Sequence, residues 1–292
     1  MNNNIINIDN FSRNFDIAPS QIDQSYKRPR AFLLIFIYYL STLIISLFIQ
    51  IGIIIVNTIL EYLLSIKIDT AILNSLSMTL TYLATLIFLI PFSFQILKND
   101  FKIAFKKPFK IFFFSAVFFL GFTVLSDLYY IYIEPNIIKL FVKLNFLDQN
   151  IVNSNTVSGN QQSIESLLQN KVSALILIPS IIIIGPFVEE LIFRKGLFRA
   201  INFKNNIINI LISGLIFALI HVLTTIFATV LYIISGIDGY NFQHIILELI
   251  YLWGYFLSGI MLGTIYVLTG QNITIVFIVH LLNNLIATLQ VI

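Results

Sequence analysis

Along this 292-residue chain, hydrophobic residues do not alternate with polar ones; they collect in seven long runs. The runs cover approximately 31–58, 72–97, 110–133, 171–193, 206–234, 244–268 and 272–291, with charged and amide residues gathered between them. A spanning helix needs about 20 predominantly apolar residues, and these runs reach or approach that length. In lipid only a helix or a closed barrel satisfies its own backbone, and the period-two alternation of barrel strands is missing. The pattern predicts an all-α, polytopic integral membrane protein with about seven transmembrane helices, within a range of six to eight. The range reflects two runs: the fifth is long enough to begin on the membrane surface, and the seventh ends at the C-terminus.

Composition points the same way. Hydrophobic residues make up 58% of the chain and charged residues 11%, against about a quarter charged in an ordinary soluble domain. There is too little charge to cover a water-facing surface. With no cysteine, disulfides and thiolate metal sites are excluded. No basic stripe with interleaved aromatics speaks for nucleic acid as a partner. Membrane lipids and membrane-associated proteins or peptides are the expected partners; nothing in the sequence speaks to oligomeric state.

Charge changes the picture by giving the spans a direction. With the N-terminus inside, thirteen of the seventeen Lys and Arg face the cytoplasm: Arg13, Lys27, Arg28, Arg30, Lys98, Lys102, Lys106, Lys107, Lys110, Arg194, Lys195, Arg199 and Lys204. Lys67, Lys139, Lys143 and Lys171 are left outside. That bias predicts a multi-pass protein of the plasma membrane with a cytoplasmic N-terminus. The first apolar run follows Lys27, Arg28 and Arg30 with no small-residue cleavage site, and is expected to be a retained span rather than a signal peptide. Four regions result: a polar cytoplasmic segment (1–30), a three-span region (31–133), an extracytoplasmic polar loop (134–170) and a C-terminal core (171–292).

An ionisable residue inside a span costs about 2.5–3.5 kcal/mol on insertion scales, so each one invites a functional explanation. In Pro186-Phe-Val-Glu-Glu-Leu-Ile-Phe-Arg194, Glu190 and Arg194 stand four apart and can pair on one helix face. Glu189 lies about 100° around the helix from Glu190 and need not share that partner, which leaves it as a candidate base. Gly185-Pro186 just before it should loosen the helix. Snorkelling of the cluster to the headgroups is the competing explanation. His221, in Phe217-Ala-Leu-Ile-His221, has apolar flanks that rule out snorkelling, but a hydrogen bond between helices would also explain it. His280 and Asn284 share a face of the last span; polar adhesion between helices is their alternative role, and Asn283 points elsewhere. Asp127, His244 and Glu248 are explained as boundary residues. At about 1.5 Å per residue, Glu189 comes out roughly 15–22 Å deep, His221 roughly 22 Å and His280 about 15 Å, so the groups can meet at one level.

Glu-Glu-x-x-x-Arg (Glu189, Glu190, Arg194), Phe-x-x-x-His (Phe217, His221) and His-x-x-x-Asn (His280, Asn284) occur in that order. The set resembles the CAAX-protease and bacteriocin-processing (CPBP, or Abi) family of intramembrane endopeptidases, over approximately 171–292. The resemblance implies an all-helical fold with a cavity open to the cytoplasm. It also implies that Glu189 and His221 activate a water, that His280 and Asn284 bind the oxyanion, and that Glu190 and Arg194 form a supporting ion pair. Phe217 carries over as a packing position.

Hydrolysis of a peptide needs a base for water and donors for the tetrahedral oxyanion, and no cofactor is expected. A zinc-dependent route is the alternative, with Glu189, His221 and His280 as ligands. Against it, His-Glu-x-x-His is absent and Asn is a poor zinc ligand. Two other function classes stand beside proteolysis: a non-enzymatic bacteriocin-immunity or scaffold protein, and a transporter. Paired halves with broken helices, which would favour a transporter, are not found.

Overall fold

The computed structural model describes residues 28–201, 203 and 205–292. The polar N-terminal segment therefore lies outside the described residues except for its last three, and Lys204 lies outside them too. Among the described residues the chain is all helix and turn, with no strand. Helix α1 joins Arg28–Leu40 and Ser46–Leu64 through a wide π-helical turn, Ser41–Ile45. Helix α2 is Thr70–Lys106, and α3 runs through Pro108–Leu128, Tyr129–Ile133 and Glu134–Lys143. Two short helices follow, α4 (Gln149–Ser154) and α5 (Gly159–Leu168), so the polar connection is itself largely helical. Helix α6 occupies 171–201, α7 is Asn206–Ile234, α8 is Phe242–Leu268 and α9 is Ile273–Leu289.

Six helices are long and apolar enough to cross a membrane, and α9 is a shorter apolar one. At about 1.5 Å per residue, the 17 residues of α9 reach roughly 25 Å, just under a hydrocarbon core. It works as a core helix: Ile273, Ile275, Val276 and Val279 are wholly buried. Several helices start where the sequence offers a short amide or acid. Asp69, Asp148, Asn170, Asn205 and Asn272 each accept from backbone N–H groups of the first turn they open, satisfying donors that lipid could not.

The chain divides into two compact units. The first comprises residues up to Phe118 with Ser166–Lys204 and Thr264–Ile292; the second comprises Phe119–Glu165 and Asn205–Gly263. In the first, Ala31, Leu34, Leu89, Val188, Leu191 and Ile273 form a core with no exposed surface. Between α2 and α6 the seam is polar: Ser75 bonds to Ser173, and Thr79 Oγ1 donates to the Ile176 carbonyl at 3.1 Å. Small hydroxyl residues let two helices approach closely in lipid, where burial of apolar surface gives no drive.

In the second unit α7 and α8 cross in close contact. A Cβ on Gly259 would sit 2.7 Å from the Gly214 Cα, so only glycine fits there. That contact sets the spacing of the two helices one turn away from Phe217 and from Tyr255.

Candidate active site

Helix α6 is not a uniform α-helix. Wide turns at Ser180–Ile184 and Leu191–Leu197 flank a short α-helical stretch, Gly185–Glu190. The cause is local. The Gly185 N–H reaches back five residues to the Ser180 carbonyl, and the next residue, Pro186, has no N–H to give. The Ile181 carbonyl instead accepts from Asn284 Nδ2 of α9 at 2.9 Å. Gly185-Pro186 thus loosens the helix as the sequence predicts, and the carbonyl it releases docks α9.

Two turns of polar chemistry follow. Arg194 Nε donates to Glu190 Oε2 at 2.8 Å, and both side chains are completely buried. Headgroup snorkelling is therefore not their role. The other oxygen of the same carboxylate, Oε1, accepts from His280 Nδ1 at 2.8 Å. An ionised carboxylate only accepts, so Nδ1 carries the proton and the opposite ring nitrogen, Nε2, is left to the site. Nε2 lies 3.8 Å from Glu189 Oε2, and the Glu189 side chain keeps 13% of its exposure where Glu190 has none. One glutamate is locked between two partners, while its neighbour faces a partly accessible space.

Tyr38 of α1 and Tyr82 of α2 lie in the electrostatic field of Glu189, and the Tyr82 ring packs against Gly185. Sequence reasoning missed both. A signal existed, because a tyrosine deep in a span has a hydroxyl that needs a partner, but nothing in the pattern named that partner.

A second buried ion pair lies one residue beyond Arg194 on the same helix. Lys195 Nζ is 2.7 Å from Asp100 Oδ2 and also donates to the Gln271 carbonyl at 2.8 Å. Asp100 Oδ2 accepts from the Ile273 N–H at 2.8 Å. The pair closes the turn between α8 and α9, where Gln271 adopts φ 64°, and so fixes where α9 starts.

Phe217 and His221 belong to the second unit. His221 Nδ1 is 2.8 Å from the Phe217 carbonyl, one turn back on the same helix. A carbonyl cannot donate, so Nδ1 holds the proton, and in the neutral ring Nε2 carries the lone pair. Phe217 is thus more than packing, since its backbone sets the tautomer and its ring lies 4.4 Å from the imidazole, centroid to centroid. On the other side the Tyr255 ring stacks at 4.6 Å and 25°. Glu248 departs from its boundary reading: it is buried and accepts from the Gly159 N–H at 2.6 Å.

For zinc, no three His, Asp, Glu or Cys side chains among the described residues are grouped so as to hold a metal ion. The Glu189–His280 pair offers two donors, with the second ring nitrogen of His280 already engaged by Glu190.

Residues 171–286 match the model of a family described as type II CAAX prenyl endopeptidase, Rce1-like. This part of the chain is similar to an Rce1-like domain. The matched span takes in all three motifs, from Glu189 to Asn284. No curated protein and no solved structure gives a significant match. The family implies CAAX-type protease activity within a membrane, on peptide substrates.

Proposed function

We propose that the protein is an intramembrane endopeptidase that cleaves membrane-associated proteins or peptides by direct attack of water. The observation that carries this reading is the Glu190 clamp. By fixing His280 Nδ1 it turns Nε2 toward the Glu189 carboxylate, at 3.8 Å. Glu189 is the base that takes the proton of the attacking water. His280 and Asn284 stabilise the oxyanion. A primary amide has two N–H groups; Ile181 takes one from Asn284, and the second is the donor assigned to the oxyanion. His221 is assigned a share in activating the water on the strength of its Phe-x-x-x-His motif, with Nδ1 held by the Phe217 carbonyl. The mechanism is assigned without a metal and without a covalent intermediate.

We also propose that the N-terminus faces the cytoplasm of a cell-membrane protein. Because the chain has no cysteine, single cysteines introduced at Lys107 and Asn153 can be labelled with an impermeant thiol reagent. Labelling of intact cells at 153 alone fits this orientation, and labelling at 107 alone reverses it.

The activity is tested by comparing peptide termini in host membranes that hold wild-type protein or the Glu189→Gln variant at matched expression. Termini found only with wild type support proteolysis and disclose the substrate. Identical termini from two well-folded proteins would favour the immunity or scaffold role instead.

A further inference from the structure

His221 has its Nδ1 fixed by Phe217, but one hydrogen bond does not fix the plane of an imidazole ring. The Phe217 ring, 4.4 Å away, is tilted by 41°; the ring stacked on the imidazole, and so the one that sets its plane, is Tyr255 of α8, at 25° and 4.6 Å. The Tyr255 ring is held in turn at its far end. Its hydroxyl is 2.8 Å from Ser158 Oγ and accepts from Asn160 Nδ2 at 3.3 Å. Both belong to the polar connection, Ser158 just before α5 and Asn160 in its first turn.

That connection is pinned from several directions. The Gly159 N–H donates to Glu248 Oε1, and the Asn155 carbonyl accepts from the Tyr251 hydroxyl at 2.5 Å. Gly159 fits so closely against α7 that a Cβ would lie 2.4 Å from Thr225 Cγ2, one turn beyond His221. Ser158 is buried, although its neighbours in sequence read as a solvated Asn/Ser/Gln stretch. Packing this tight around polar residues is costly to build, and it converges on one aromatic ring.

We propose that Tyr255 is a positioning residue for His221, and that Ser158 and Asn160 make the polar connection part of the active site by anchoring the Tyr255 hydroxyl. This rests on the reading of His221 as a catalytic group. The anchored ring holds the imidazole in one plane, so that Nε2 presents its lone pair in a single direction. Misplacement of a reacting group by about 1 Å costs on the order of a hundredfold in rate.

The test has two arms. The protein has three histidines, His221, His244 and His280, so nitrogen NMR of the full chain, ¹⁵N-labelled at histidine in detergent micelles, is assigned with a His221→Gln variant. Wild type should show His221 as one Nδ1–H tautomer. Tyr255→Leu should keep that tautomer but broaden the His221 signals as the ring samples several planes, and lower cleavage of the wild-type-dependent termini on the order of tenfold or more. Tyr255→Phe and the Ser158→Ala/Asn160→Ala double variant lose the same anchor. Both should broaden the His221 signal and slow cleavage about threefold.

Wild-type His221 signals in a folded Tyr255→Leu protein would overturn the proposal. If that variant does not fold, unchanged signals in both anchor variants overturn it equally. Cleavage that survives His221→Gln would remove the catalytic reading alone, since the NMR arm reports on ring positioning without any substrate.

Discussion

Neighbouring glutamates on α6 should separate stability from activity. Glu190 makes two charge-assisted bonds at 2.8 Å, to Arg194 and to His280, in a place with no exposure. Glu190→Gln keeps the shape but removes the charge, and turns one acceptor oxygen into an NH2 that faces an N–H donor. Breaking a buried pair by changing one partner costs about 3–5 kcal/mol, because the remaining charge stays buried. At about 2–4 °C per kcal/mol, the unfolding midpoint should fall by roughly 6–20 °C. Glu189 is partly exposed, and Glu189→Gln should change stability by less than about 1 kcal/mol. It should instead lower cleavage by a factor of about 10²–10⁴, the usual worth of a general base. The assay is thermal unfolding in detergent on both variants beside the comparison of membrane peptide termini. A Glu190→Gln protein as stable as wild type would refute the clamp. A Glu189→Gln protein destabilised as much as Glu190→Gln would mean that the two carboxylates share one structural role.

Three further outcomes follow from the geometry. Asp100→Asn should destabilise by about 3–5 kcal/mol by leaving Lys195 buried beside a neutral group, whereas Asp100→Leu with Lys195→Met should recover most of the loss; unfolding midpoints of the single and double variants decide it. Gly259→Ala should cost about 1–3 kcal/mol, because its methyl group overlaps the Gly214 Cα; an unchanged midpoint would show that α7 and α8 can part freely. Asn284→Ala should slow cleavage about 10²- to 10³-fold as an oxyanion donor, while thermal unfolding registers only about 1 kcal/mol for the lost bond to Ile181; slowing no greater than that stability loss explains would assign Asn284 to docking α9 alone.

Sequence alone determined the membrane class, the approximate spans and the residues of the three motifs. Apolar run length is a local property that lipid reads directly, and charge cannot be hidden in it without a reason, so Glu189, Glu190, Arg194, His221 and His280 stand out by cost. The spacing of Glu190 and Arg194 also disclosed their pairing, because i and i+4 meet on any helix. What the sequence left hidden are the partners that come from other helices. That Glu190 serves His280 as well as Arg194 depends on how α9 docks on α6. That docking depends on the Ile181 carbonyl released at Pro186 and on the Asp100–Lys195 pair, 95 positions apart in sequence. Tyr38, Tyr82 and Tyr255 read as ordinary span aromatics until packing sets them beside Glu189 or His221. Asn155–Gln162 reads as solvent loop because its residues are polar, yet Ser158 is buried through bonds that only the folded arrangement of α7 and α8 supplies. Local periodicity fixes which face a helix has; which groups meet across helices is decided by close packing, and that information is spread over the whole chain.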